Sequence, residues 1–385
     1  RLYLSPTPDQ IGAANVPRPE VDEDGQIATN PRWFSPPAYG LTKFSELFTN
    51  RQLVAMTTLS DLVAEVREQV MVDAIIAGLN DGKRLEEGGS GAEAYADAVA
   101  TYLALAISRL ADRCSSLCGW DSSRDSLRNL FARQAIPMVW DYAETNPFSD
   151  SSGNFLGQVE WVTKVLNHVS VNAVGIAGQV GALGRSYCGL VVSTDPPYYD
   201  NIGYSDLSDF FYVWLRKSLR DIHPQVVGTV LAPKADELVA NPYRHDGKEG
   251  AERFFVEGFN SVFHCIRQGA HRELPVTVYY AYKQQDAKAG GATSTGWHTL
   301  LSGLIEAGWE ITATWPMRSE LANRMLSQGT NALASSIVLA CRPRHVDADS
   351  ITRRLFVARL KSELPEALRT LMQGAIAPVD LAQAA

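Results

Sequence analysis

Apolar residues recur at spacings of three and four through Leu53, Met56, Leu59, Leu62, Val63, Val66 and Val70. That period marks one face of a long amphipathic helix, with Thr49 or Asn50 as its N-cap. The glycine-rich "DGKRLEEGGSG" interrupts the pattern, and a second helix, Ala-rich and apolar enough to be buried, is expected from about Ala92 to Asp112. "SSRDSLRNLFARQA" reads as a third helix entered from a Ser cap, and "NFLGQVEWVTKVLNHV" as a fourth. Residues 39–170 therefore read as a mainly helical domain. Residues 1–38, rich in Pro, Asp, Glu and Asn and without a period, read as an extended arm or linker.

After residue 171 the texture changes to strands alternating with helices. "CGLVVSTD" is a continuous apolar run ended by a turn, the pattern of a strand buried on both faces. Helices are expected over "SDLSDFFYVWLRKSLRDI", "FFVEGFNSVFHCIRQGA" and "GWHTLLSGLIEAGW", and strands over "LPVTVYYAYK", "EITATWPMRS" and "ASSIVLACRPR". Such an order, with its last two strands joined like a hairpin, implies an α/β domain over 171–345. Its sheet is expected to be mostly parallel with one antiparallel strand. Residues 346–385 form a helical tail.

Composition narrows the picture. Hydrophobic residues make up 45% of 385 and charged residues 20%, which suits a globular chain long enough for two or three cores. No apolar run approaches the ~18 residues of a membrane span, so no membrane partner is expected. A net charge of −8 lacks the basic footprint common in nucleic-acid binders. Local basic groups at Arg216, Lys217 and Arg220, at Arg342 and Arg344, and at Arg353 and Arg354 are read as solvated faces or phosphate contacts. Five scattered cysteines argue for a reducing compartment, the cytoplasm. Cys114 and Cys118 read as helical cysteines one turn apart, with no second Cys or His pair nearby to complete a metal site. The N-terminus "RLYLSPTPDQIG" has neither a signal pattern nor an initiator Met and reads as the interior of a longer chain.

The stretch "STDPPYYDNIGY" carries the chemistry. It sits where a sheet strand ends, and open α/β sheets bind ligands in the crevice outside the carboxyl ends of their strands. Proline fixes φ and removes an N–H, so Pro196 and Pro197 hold the backbone rigid. They aim the Asp195 carboxylate and the Pro196 carbonyl outward as two acceptors, which suit an NH2 group with its two donors. Tyr198 supplies a flat face on which a planar base can stack. Tyr199 and Tyr204 are the other aromatics best placed to reach a nucleotide. Asp200 and Asn201 either orient the base or only lead into the next helix. Arg318 and Asn323, after a strand end, suit phosphate or base contact, or plain solvent exposure.

Asp195-Pro196-Pro197-Tyr198 matches the Asp/Asn/Ser-Pro-Pro-aromatic motif of the S-adenosylmethionine-dependent amino-methyltransferases. The likeness extends to "YGLTKFSELFTNRQLVAMTTLSDLV", "FARQAIPMVWDYAETNPFSDSSGNF", "STGWHTLLSGLIEAGWEITATWPMRSELANRM" and "GTNALASSIVLACRPR". Together these resemble the large bacterial and archaeal adenine-specific DNA methylases that carry a zinc-ribbon segment and an N-terminal domain of unknown function. The resemblance implies a class I, Rossmann-like methyltransferase sheet whose fourth strand is 191–194, and whose fifth to seventh strands lie at 275–283, 310–316 and 335–341. It implies S-adenosylmethionine as cofactor, DNA as partner and a flipped adenine or cytosine as substrate. Asp195, Pro196, Pro197 and Tyr198 are then the catalytic motif.

One part of the family pattern has no counterpart here in its proper context: a glycine-rich loop of the type D-P-F-x-G-x-G after the first strand. "ETNPFSDSSGNF" follows a segment too polar for a central strand, and "VGIAGQVGALG" has no acidic partner. "ELFTNRQL" is similar to a segment that touches the cofactor's methionine end, which nominates Phe48 and Thr49 as cofactor contacts, or Thr49 as only a helix cap. The sheet is therefore expected to be incomplete, with the glycine-rich half on a partner chain or upstream segment. Two alternatives stay open: a non-catalytic subunit that binds nucleic acid or a partner, and an enzyme acting on RNA or on a protein glutamine.

Overall fold

Thr49 caps the first long helix as expected. Its hydroxyl accepts the Gln52 N–H while the Gln52 side chain accepts the Thr49 N–H, a reciprocal pair that satisfies two orphan donors of the first turn. The computed structural model describes residues 4–21, 23–169, 175–199, 202–280, 295–318 and 335–373. These fall into two units, Arg1–Gln179 with Gly203–Glu237, and Val180–Ile202 with Leu238–Ala385. Residues 203–237 thus group by packing with the helical unit, although they follow the motif in sequence.

The first unit holds α1 (Pro8–Ala14), α2 (Asn50–Ile76), α3 (Ala92–Ala111), a hairpin of β1 (Trp120–Asp121) and β2 (Ser126–Leu127), α4 (Phe155–Leu166), α5 (Tyr204–Leu219) and α6 (Pro224–Val227). The stripe that α2 buries is Leu53, Met56, Thr57, Ser60 and Val63, whereas Leu62 and Val66 face solvent. α2 packs along α3, whose many buried alanines allow close approach. Phe48 and Phe210 stack beside Trp214, with Phe131 against Phe210, and form the aromatic part of this core. The N-terminal segment carries the short helix α1, and further along it Ile27, Trp33 and Phe34 are buried. Backbone bonds from Ile136 N–H to Trp33 C=O and from Ser35 N–H to Ile136 C=O tie it down.

Two local expectations fail for one reason. No helix forms over 122–135, because short polar side chains capture the backbone first. Asp121 accepts the Ser123 N–H and hydroxyl, and Asp112 accepts the Phe131 N–H and the Asn129 amide. Cys114 and Cys118 lie beyond the end of α3 in a series of turns rather than on a helix. Both are buried free thiols. Burial pushes Cys114 up to about 12 and also raises Cys118.

The second unit carries a four-stranded sheet of β3 (Ser193–Thr194), β4 (Val276–Tyr280), β5 (Trp309–Arg318) and β6 (Ser335–Pro343), in the order β3-β4-β6-β5. β3 is parallel to β4, and β6, last in sequence, is antiparallel to both of its neighbours. The mixed sheet with one reversed strand is as the alternation predicts. α7 (Gly247–Gly269) and α8 (Thr295–Glu306) pack on each other, and α9 (Arg353–Gln373) follows the sheet in sequence. Pro316 lies in β5, which among the described residues is an edge strand, the place in a sheet where proline is tolerated. The strand buried on both faces is β6, with Ile337 through Cys341 all enclosed. The continuous apolar run before the motif had suggested that role for β3. Instead β3 is the opposite edge strand among the described residues, and the residues leading into it, Leu190 and Val191, are 40% and 63% exposed. Among the described residues no helix is long and apolar enough to cross a membrane.

The first unit has buried carboxylates at Asp97, Asp206 and Asp209, and of these Asp97 is fully enclosed. Asp97 lies on α3 and accepts from Arg67 Nε at 2.6 Å, Arg84 Nε at 3.4 Å and the Leu85 N–H at 3.1 Å. Burial alone would raise its pKa, but these donors outweigh it and hold Asp97 below the ordinary carboxylate value. Asp97→Ala should cost about 1–3 kcal/mol, read by urea denaturation, because two half-buried guanidinium groups and the Leu85 N–H lose their acceptor. Since the folded pKa is depressed, this stabilisation is present at neutral pH and should disappear as pH falls through the folded value. A variant with unchanged acid sensitivity would contradict that assignment.

Candidate functional site

The Asp-Pro-Pro-Tyr segment leaves the carboxyl end of β3 in the second unit. On the side facing β4, the strand is anchored by bonds from Thr277 N–H to Val192 C=O (3.0 Å) and from His271 N–H to Leu190 C=O (2.9 Å). Asp195 is exposed, and no described residue donates to its carboxylate or to the Pro196 carbonyl. The next carbonyl differs. Pro197 C=O accepts the Tyr199 N–H at 3.1 Å, which closes a tight three-residue turn centred on Tyr198. Two acceptors are thus left open while the third is consumed in fixing them.

Tyr199 is the strained point of the turn. Its φ is +42°, a left-handed conformation that costs a residue with a Cβ about 1–2 kcal/mol. Two contacts hold it: its carbonyl accepts the Ala240 N–H at 3.1 Å, and its ring meets Phe255 edge to face at 5.0 Å. Phe255 in turn stacks on Phe259 at 4.2 Å, and Phe259 meets Phe263, so the turn rests on the aromatic face of α7. Tyr198 is half-buried and stands edge to face with Tyr280, the last residue of β4, at 5.5 Å. Tyr280 packs against Trp297 of α8. Gly296 fits under this group because it has no side chain. A Cβ there would lie 3.0 Å from the Tyr280 hydroxyl and 3.1 Å from Tyr199 Cβ.

The structure therefore brings Asp195, Pro196, Pro197, Tyr198 and Tyr199 together in one turn. Comparison with protein families, curated proteins and solved structures finds no match. The site is accordingly described by its own geometry.

The remaining nominated residues are placed as follows. Asp200, Asn201 and Asn323 lie outside the described residues. Arg318 ends β5 opposite Ser335 on β6. Tyr204 opens α5 in the first unit and is 38% exposed. Phe48 and Thr49 also belong to the first unit. The Phe48 ring is buried against Phe210 and Trp214, and the Thr49 hydroxyl is occupied in capping α2.

Neither glycine-bearing string provides a cofactor cradle. Gly175 and Gly178 stand in open coil, where an added Cβ would touch nothing within 4 Å, so no backbone closes around a ligand there. In the other string, Asn146 and Asn154 make local turn and cap bonds, the latter to Gly157 N–H at the start of α4. The residues described thus do not fit S-adenosylmethionine. Sequence reasoning missed Ala240, Phe255, Tyr280 and Gly296, which hold the motif; each lies 41 to 97 positions from Tyr199 in the chain, and no local pattern links them.

Because Tyr199 Cβ is fixed by the turn backbone, Gly296→Val has no room to relax. It should destabilise the second unit by about 1–3 kcal/mol, seen as a lowered midpoint in guanidinium unfolding. An unchanged midpoint would show that the turn yields more easily than its bonds suggest.

Proposed function

We propose that this chain is the substrate-holding half of an S-adenosylmethionine-dependent DNA amino-methyltransferase, acting on adenine N6 or cytosine N4. One observation carries the reading: among the described residues nothing engages the Asp195 carboxylate or the Pro196 carbonyl, while the Pro197 carbonyl and the Tyr199 N–H and carbonyl are already bonded. Such a pair takes both hydrogens of a planar NH2 and fixes the plane of the amine. Positioning of this kind accounts for most of what a transfer to an exocyclic amine needs, since little acid or base chemistry is required. Tyr198 would stack on the base, which has to be swung out of the duplex before its amino group is accessible.

The edge position of β3 supports the same reading. Among the described residues its outer backbone is left for a further strand to pair with, and the apolar residues leading into it, Leu190 and Val191, are exposed. We assign the cofactor to a partner chain or upstream segment that brings the glycine-rich loop, as the sequence resemblance implies.

A second reading, a subunit that keeps the motif without cofactor, is favoured by the open coil at Gly175 and Gly178. One experiment separates them. Calorimetry of the chain alone should show no tight S-adenosylmethionine binding, and binding should appear once the glycine-loop segment is added. In that complex Asp195→Ala should lower methyl transfer to DNA by at least about a hundredfold with unfolding unchanged, since a mispositioned acceptor costs that much. Retained transfer removes Asp195 from the site, and a complex that never transfers a methyl group establishes the non-catalytic subunit.

A further inference from the structure

α9 follows the sheet after residues 344–352 and carries one apolar stripe, Phe356, Val357, Leu360, Leu364 and Leu368, at the three- and four-residue spacing of a helix face. Such a stripe normally faces a core. Here Phe356 is 53% and Leu360 44% exposed, no described residue of α9 is buried, and the helix shares no extended packing contact with another described element. Its polar positions are mainly basic. Arg353, Arg354, Arg359, Lys361 and Arg369 outnumber Glu363 and Glu366, on a chain whose net charge is −8. None of these five cations has an ion-pair partner among the described residues.

α2 has the complementary face. Beside the stripe it buries, it carries a second one, Leu59, Leu62, Val66 and Val70, again three and four positions apart. Leu62 and Val66 are exposed, and Leu59 and Val70 are half-buried. A helix that is apolar on two sides is suited to neighbours on both. Along the same turns Glu65, Glu68 and Asp73 are exposed and, among the described residues, without an ion-pair partner, while the one base there, Arg67, is committed to Asp97. The two stripes also match in length, each running about 16–18 Å along its axis.

The charges select the pairing. Two α9 helices face to face would set like charges together, whereas α9 against α2 sets opposite ones. α4 also exposes apolar residues, Leu156, Trp161 and Val165, but its Glu160 is balanced by Lys164. Within one chain both stripes stay in solvent, so the helix that covers each is supplied by a second copy.

We propose that α9 docks on the second stripe of α2 in another copy of this chain, in a symmetric dimer where each copy gives its α9 and receives its partner's. Residues 344–352 span up to roughly 30 Å when extended, which gives α9 the reach of an exchanged element. Two identical helix pairs then close the assembly. The pairing involves neither the Asp195 turn nor methyl transfer.

Sedimentation velocity on the full chain tests this. At about 100 μM and low salt it should run with the mass of a dimer, and a tenfold rise in ionic strength should weaken association about fivefold or more, since the opposing charges are exposed. Arg354→Glu with Lys361→Glu on α9, and separately Glu65→Lys with Asp73→Lys on α2, should each give monomers with unchanged far-ultraviolet circular dichroism, because all four positions are exposed. An equimolar mixture of the two variants should recover the dimer, since both of its helix pairs then join opposite charges. A dimer that survives the α2 changes means that α9 pairs with α9. A wild-type chain that stays monomeric, whether or not it binds vesicles of phosphatidylcholine and phosphatidylserine, means that no second copy covers α9. Either result overturns the proposal.

Discussion

The hydrogen bond from the Ala240 N–H to the Tyr199 carbonyl is the constraint on which the motif depends. Tyr199 has a positive φ that its side chain disfavours, and without restraint the turn would relax and re-aim both acceptors. The restraint is shared between that bond and the Phe255 ring, which belongs to the same packed column of α7 that fills the core of the second unit. Strain in the turn is thereby balanced by burial well away from it. The two prolines alone do not accomplish this, because each fixes only its own φ.

The sheet beneath the turn explains why the acceptors lie at an edge. β6 enters antiparallel between β4 and β5 and is enclosed on both faces, so the centre of the described sheet is displaced away from the motif. β3 contributes two residues to the ladder, and its apolar lead-in stays in solvent. A strand with that composition is suited to neighbours on both sides. The exposure of Val191 is thus a local mismatch between sequence and surroundings, of the kind that marks a surface meant to be covered.

The helical unit shows a different balance. Asp97 satisfies two arginines and a backbone N–H in a fully enclosed place, and the network is complete. A few residues away along α2 and across to α5, the polar groups at Ser60, Trp214, Arg216 and Ser218 are incomplete. Buried polar groups in folded chains are nearly always paired, and these four depart from that where the Asp97 network conforms to it.

Much of the architecture was legible in the sequence. The period of α2, the Thr49 cap, the α/β alternation after residue 171 and the reversed strand all follow from spacing and caps. These are decided by residues within a few positions of each other. The helix expected over 122–135 failed because Asp112 and Asp121 offered side-chain acceptors stronger than the helical alternative, and Asp112 acts from 19 positions away. The sequence by itself determined most of the long helices and the sheet strands, and that Asp195 and Pro196 end a strand on a rigid turn. Only the tertiary structure decided that β3 is an edge of the described sheet and that Tyr199 is left-handed under Ala240 and Phe255. Secondary structure answers to local backbone preference, whereas burial, strain and unmet hydrogen bonds depend on which distant residues arrive alongside.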